Sequence, residues 1–301
     1  MWIIFAFSGP ILWALSTHFD KYLVDRYFEN SDTAVLMVFT ACIGLLMLPF
    51  ILFFEPATLS IPLTSILVMV ISGILYMGSM LFYLKAIQSS EASVVAPMFQ
   101  MSAIFTFILG YLILGETLTF TNALGATVII LGALMLSLDT SFRFQKFKFK
   151  ILFLMLLCTF ILALSSVIFK LFAIKEQFWS TALWTYVGEA IFGLGILCVP
   201  RYFFQFKNLL KVNTKALIAI NGTNELINLG GGLGVRFASL LAPVALVSAI
   251  SSTTTLFVFM FGVILTVFMP RFAHEDLSWK NLLQKGIAAI LVALGVILTQ
   301  M

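Results

Sequence analysis

Runs of about 20 apolar residues, each closed by a short polar or basic break, recur from one end of this chain to the other. A hydrocarbon core about 30 Å thick is crossed by roughly 20 helical residues, so each run is long enough to span a bilayer. The pattern predicts ten spans, at 2–21, 34–54, 66–88, 93–114, 119–139, 150–173, 180–200, 214–238, 243–267 and 282–301. They read as helices: a membrane barrel would show segments of about ten residues with alternating polarity, whereas these runs are continuous and rich in Leu, Ile and Phe. The predicted fold class is all-α, a polytopic membrane protein whose ten transmembrane helices form two inverted five-helix repeats.

The repeat is carried by short matches at constant displacement. Ala14-Leu15-Ser16 followed by Lys21 in the first span returns as Ala163-Leu164-Ser165 followed by Lys170 in the sixth, 149 residues on. Lys85 and Ala92, displaced by 151, become Arg236 and Pro243, each a basic residue at the end of one span with the next span starting seven residues later. The expected division is residues 1–140 as the first repeat, 141–150 as a basic linker and 151–301 as a degenerate second repeat. An odd number of crossings per unit makes the second copy enter from the opposite side, which inverts it about an axis in the membrane plane.

Composition leaves little room for anything else. Of the 301 residues, 61% are hydrophobic and 10% charged, where soluble domains carry about 25% charged residues, and the mean hydropathy is +1.11. The N-terminal MWIIFAFSGPILWALS has neither a basic n-region nor a small-x-small cleavage site and is read as a retained first helix. Cys42, Cys158 and Cys198 fall within predicted spans without metal or CxxC spacing and are read as buried, inert thiols. The net charge of +4 reports orientation before it reports partners. With both termini and the loops after spans 2, 4, 6 and 8 on one side, that side receives only Lys170, Lys175 and Arg236 of the 17 basic residues. The positive-inside rule then places the other fourteen in the cytoplasm and both termini outside it. Lys21 and Lys170 read as snorkelling helix ends.

One segment adds a likeness. Ala96-Pro97, then Leu114-Gly115-Glu116-Thr117-Leu118-Thr119, then Gly125 and Gly132 resemble the drug/metabolite transporter superfamily in its EamA-like branch, and the resemblance covers nearly the whole chain. It implies duplicated five-helix halves and alternating-access carriage of small solutes, often export. It also implies cytoplasmic termini, against the charge count. The second copy reads Leu265-Thr266-Val267-Phe268-Met269-Pro270 where the first has LGETLT, so the motif glutamate is missing there. Glu116 is accordingly read as a structural residue capping a helix junction near the membrane interface.

The candidate chemistry lies in polar residues at mid-span, since an ionisable group inside a bilayer costs at least about 2.5 kcal/mol and needs a reason. Glu189 falls halfway along span 7 and Glu225 halfway along span 8. Asn221, Asn224, Glu225 and Asn228 stand at i, i+3, i+4 and i+7, one face of a helix. Lipid cannot satisfy such a stripe, so it faces a water-filled cavity or other helices; both readings stay open for Asn221 and Asn228, and Glu225 is assigned to the cavity. Gly230, Gly231, Gly232 and Gly234 serve close packing or a flexible break. Trp184 and Tyr186 accompany Glu189, and a ring face beside a carboxylate suits a cation. Trp13, His18 and Asp20 come from span 1, and His18 is either a proton relay or a local hydrogen-bonding group. Tyr76, Gln100, Ser251, Thr253, Thr254 and Thr255 are further lining candidates, with hydroxyls bonding their own helix as the plain alternative.

These residues point to a secondary transporter of a small cationic or zwitterionic metabolite, working by alternating access, with Glu225 and Glu189 as proton-coupling groups. The competing reading is an uncoupled facilitator or flippase of a larger amphiphile such as a lipid-linked sugar; a non-transporting membrane scaffold leaves the mid-span carboxylates unexplained. An enzyme is disfavoured: with His18 and His274 alone there is no HExxH, no nucleophile with its base and no paired acidic metal motif. No cofactor and no metal is expected, nucleic-acid binding has no support, and the expected partners are a small-molecule substrate, protons and the lipid bilayer. The expected location is the cell (inner) membrane of a prokaryote, as a multi-pass protein.

Overall fold

The computed structural model describes residues 1–27, 32–89, 98–137, 149–212, 214–268 and 278–299; most of the predicted linker, 141–148, lies outside them. Among the described residues all regular structure is helical. The α-helices are α1 (Trp2–Tyr27), α2 (Thr33–Ile43), α3 (Leu48–Phe54), α4 (Leu63–Ser89), α5 (Met101–Leu114), α6 (Phe120–Ser137), α7 (Phe149–Lys175), α8 (Phe178–Leu197), α9 (Pro200–Val212), α10 (Thr214–Leu241), α11 (Val244–Ser251), α12 (Thr254–Phe268) and α13 (Trp279–Leu298). Every predicted span overlaps helical structure. Among the described residues six stretches are long and apolar enough to cross a membrane: Trp2–Asp20, Met37–Phe54, Leu63–Tyr83, Phe149–Lys175, Phe178–Leu197 and Val244–Phe268. Met101–Leu114, Phe120–Met135 and Leu282–Leu298 are shorter apolar helices.

Two predicted spans are interrupted, each for a local reason. In the span expected at 34–54, a 3-10 turn at Gly44–Met47 separates α2 from α3. Pro49 lacks the N–H that would bond back into the helix, and its ring crowds the carbonyl one turn earlier. In the span expected at 243–267, the break at Ser252–Thr253 sits in a run of hydroxyls. Ser251 donates to the Val247 carbonyl, Ser252 to Ala249, Thr254 to Ser251 and Thr255 to Ser252, offering backbone oxygens an alternative to the helical ladder. The reading of these side chains as cavity lining thus meets its plain alternative, except that Thr253 is fully buried with its hydroxyl unpartnered within the protein.

Helix α9 was not anticipated, because its charges hide it from a hydropathy scan. Tyr202, Phe206 and Leu209, at i, i+4 and i+7, face the core, while Arg201, Phe203, Phe204, Lys207 and Lys211 are exposed. Cys198 caps the end of α8 and is exposed, so it is not the buried thiol expected.

The exterior carries large apolar side chains such as Phe53, Leu112, Phe120, Phe153 and Ile290, as a surface facing hydrocarbon requires. Inside, the buried positions are disproportionately small, among them Ala6, Ala14, Ala41, Ala133, Ala163, Ala182 and Ala288. With no water to expel between helices in lipid, association relies on close backbone approach. That approach is tightest at two crossings. A Cβ on Gly73 of α4 would run into the Thr185 carbonyl of α8, and one on Gly188 into the Val70 carbonyl of α4. Gly125 of α6 and Gly295 of α13 block each other similarly, at 2.7 and 2.8 Å. The main packing pairs are α1 on α10 and α12, α4 on α7 and α8, α5 on α7, α2 on α8, and α6 on α13.

Candidate functional site

The LGET turn after α5 builds a junction, not a binding site. Gly115 ends α5 in the left-handed region at φ 66°, where a side chain costs about 1 kcal/mol or more; a Cβ there would touch nothing, so the backbone alone selects glycine. The turn aims Glu116 at the start of α11. Glu116 Oε2 accepts from the Val244 amide at 2.9 Å, satisfying one of the free N–H groups of that helix. Lys170 of α7 lies 2.5 Å from Glu116 Oε1 and donates to the Ala242 carbonyl at 2.7 Å. Lys170 is therefore not a snorkelling helix end: it is buried and tied to a carboxylate.

The stripe on α10 forms a second, different cluster. Asn224 Nδ2 donates to Asp20 Oδ1 of α1 at 2.6 Å, and Thr40 Oγ1 of α2 donates to Glu225 Oε1 at 2.6 Å. Asn228 Nδ2 reaches Glu225 Oε2 at 3.4 Å. Trp13 of α1 donates its indole N–H to the Asn228 carbonyl at 3.3 Å and packs on Gly231. Asn221, Asn224 and Glu225 are at most 2% exposed. Both polar atoms of Asn221 and the Asn224 Oδ1 find no partner within the protein. Among the described residues neither Asp20 nor Glu225 forms an ion pair.

A third cluster surrounds Glu189. Arg236 Nη2 donates to Glu189 Oε1 at 2.7 Å. The Arg236 Cζ lies 5.0 Å from the ring centres of Phe169 and Tyr186 and 5.7 Å from that of Tyr76. Arg236 was read as a helix-end basic residue; it is instead five residues inside α10 and paired. Tyr76 of α4 thus borders the third cluster through its ring.

The remaining candidates lie elsewhere. Trp184 donates to the Thr58 carbonyl at 3.2 Å, and the rings around the Arg236 cation are Tyr186, Tyr76 and Phe169. His18 Nε2 lies 3.1 Å from the Val258 carbonyl of α12. Gln100 is buried just before α5, and no described hydrogen bond joins it to either polar cluster. Of the glycines, Gly231 and Gly234 serve packing: a Cβ on Gly231 would crowd Trp13, and one on Gly234 would strike Ser8. Helix α10 runs unbroken through all four.

Sequence reasoning named Asp20 without giving it a role, and missed two members, Thr40 and Arg236. Arg236 had a signal. Eleven residues after Glu225 is about three turns of helix, so it extends the same face.

Residues 1–138 match the family model described as the EamA-like transporter family. That stretch is similar to the family. The matched residues include Asp20, Thr40, Tyr76 and Glu116, so each cluster draws on both the matched stretch and the remainder. A 77-residue stretch is 38% identical to an uncharacterized transporter in cobO 3'region of Sinorhizobium sp, covering 26% of this chain and 55% of that protein; the match spans about half the length of that relative. A protein of known crystal structure superposes on 98% of this chain and 94% of its own, with a TM-score of 0.66 and 16% identity, a likeness of fold.

Proposed function

We propose that this protein is a secondary transporter that carries a small cationic or zwitterionic metabolite by alternating access, with Asp20 and Glu225 exchanging protons for the solute's cationic group. The observation that carries the reading is the pair of carboxylates in one cluster, Glu225 midway along α10 and Asp20 at the end of the apolar stretch of α1, with no described basic partner. Buried charge needs a counter-charge or a proton, and a site that takes one or the other couples the two. Glu189 is committed to Arg236, which leaves Glu225 and Asp20 as the proton carriers.

The same reading includes ten crossings in two inverted units, 1–140 and 151–301, joined by the basic linker 141–150. Exchange of the two units supports it. Numbering the spans in order, the first-with-eighth packing maps on sixth-with-third, and fourth-with-sixth on ninth-with-first. Second-with-seventh and fifth-with-tenth map on themselves. The charge bias supports cytoplasmic placement of the basic loops: of the three cations on the opposite side, Lys170 and Arg236 are consumed in buried ion pairs, and Lys175 is the exposed one.

The test is proton movement in proteoliposomes containing a pH-sensitive dye, challenged with primary amines and amino acids. Wild-type protein is expected to move protons with at least one of them, and Glu225→Gln and Asp20→Asn to abolish this while eluting as folded protein. Substrate uptake by wild type that leaves the dye unchanged sinks the coupling, and undiminished proton flux in both variants sinks the assignment of residues.

A further inference from the structure

Helix α10 carries opposite charges at the two ends of one face. Glu225 and Arg236 are eleven residues apart, about 16 Å along the axis and nearly in register around it. Helical side chains lean toward the N-terminus, so Arg236 reaches toward Glu225 while the shorter Glu225 side chain leans away, and the gap narrows only by the difference in their reach. Asn228 and Gly232 occupy the same face between them. Gly232 differs from the packing glycines beside it, since a Cβ there would meet nothing within 4 Å. The stripe is therefore unfilled between its acidic and basic ends.

The Arg236 guanidinium is only half used. Nη2 serves Glu189, while the buried Nη1 has no partner within the protein. The Tyr186 hydroxyl, on the ring lying 5.0 Å from Cζ, is buried, interacts with the Arg236 guanidinium and has no acceptor for its own proton. A guanidinium presents a planar fork suited to bidentate recognition of a carboxylate, and leaving its donors buried and unpaired is costly. Two orphan donors side by side, one of them cationic, match the two oxygens of a carboxylate.

We infer that Arg236 Nη1 and the Tyr186 hydroxyl bind the carboxylate of the solute. Glu189 is the internal stand-in that holds the guanidinium and competes for it. Resting on the cation site at Asp20 and Glu225, this narrows the solute to an amphoteric one lying along α10, its amine toward Glu225 and its carboxylate at Arg236. Tyr76, its ring 5.7 Å from the Arg236 Cζ, flanks the carboxylate end of the molecule. Specificity then comes from both ends: a simple amine leaves Nη1 unpaired, and a simple carboxylate leaves the acids without a counter-charge.

The test uses purified full-length protein and three probes of one chain length, 6-aminohexanoate, hexylamine and hexanoate, with affinities from ligand-dependent thermal shifts. Wild-type protein should bind 6-aminohexanoate at least about tenfold more tightly than hexylamine, the value of hydrogen bonds to a charged group. Tyr186→Phe, which preserves the ring, should remove most of that advantage without changing hexylamine binding. Glu189→Gln should tighten 6-aminohexanoate several-fold by freeing the guanidinium, a gain that a purely structural ion pair would not give. Equal binding of hexylamine and 6-aminohexanoate in wild type and both variants overturns the inference and leaves the cation site standing. A wild-type protein shifted by none of the three overturns both.

Discussion

At the turn between α5 and α6, Glu116 is matched on both oxygens: one takes the Val244 amide, the other the Lys170 ammonium, and Lys170 itself reaches the Ala242 carbonyl. Around Glu225 the surroundings are equally buried but the accounting is open. Asp20 and Glu225 bring two carboxylates and no described cation, and three amide atoms of Asn221 and Asn224 have no partner in the protein. The first cluster fixes the start of one helix against the end of another and has nothing left to offer a ligand. The second leaves donors and acceptors unmatched by the protein. Burial of a carboxylate in a membrane protein is thus not itself the mark of a site; the mark is what remains unsatisfied after the protein's own groups are matched.

The comparison breaks most forcefully at Lys170. Lys170→Met leaves Glu116 buried beside an apolar group, and removal of one partner from a buried ion pair costs about 3–5 kcal/mol. Thermal unfolding in detergent should show a large fall in Tm. Glu116→Gln combined with Lys170→Met should recover most of it, because the amide oxygen still accepts from Val244 and no charge is stranded. If the double variant is no better than the single one, Glu116 is not the partner whose charge matters.

Asn221 gives the opposite sign. Its amide is buried with neither atom paired, and an unsatisfied buried polar group costs about 1–3 kcal/mol. Asn221→Leu, similar in volume, is expected to raise stability by about 1 kcal/mol while weakening transport in the proteoliposome assay. Unmatched polar groups kept for binding cost stability. A fall in Tm of the size seen for Lys170→Met would mean that Asn221 is a structural residue like Glu116.

How much of this was written in the chain varies with the physics involved. The apolar runs gave the helices because crossing length and hydropathy are local quantities. Pro49 and the Ser251–Thr255 hydroxyls, which divide two of those runs, were in plain view, but whether such residues break a helix depends on what the freed backbone groups meet. The α10 stripe was legible from its i, i+3, i+4, i+7 spacing, and Glu116 as a capping residue from its absence in the second copy. Pairing was not legible. That Lys170 meets Glu116, that Arg236 takes Glu189 in preference to an outside cation, and that Thr40 and Asp20 reach α10 are facts of tertiary packing between residues 47 to 204 positions apart. Periodicity places a side chain on a face, and only the neighbouring helix decides its partner.

The finest contrast lies within one turn of α10. Gly232 and Gly234 are two residues apart, yet a Cβ on Gly234 would strike Ser8 of α1 and one on Gly232 would enter open space. Alanine is worth up to about 1 kcal/mol over glycine in a helix interior, so Gly232→Ala is expected to hold or slightly raise Tm. Gly234→Ala must swing the Ser8 hydroxyl off the Phe5 carbonyl and crowd the Ser8 Cβ at 3.1 Å, and should lower it. Function should separate them in the other direction. A methyl at Gly232 stands on the face between Glu225 and Arg236, where an amphoteric solute would lie, so solute affinity should weaken in a protein that is as stable as wild type or more so. If Gly232→Ala leaves affinity unchanged at raised stability, the open face of α10 carries no ligand, and the unmatched atoms around Glu225 must be answered from the α1 and α2 side alone.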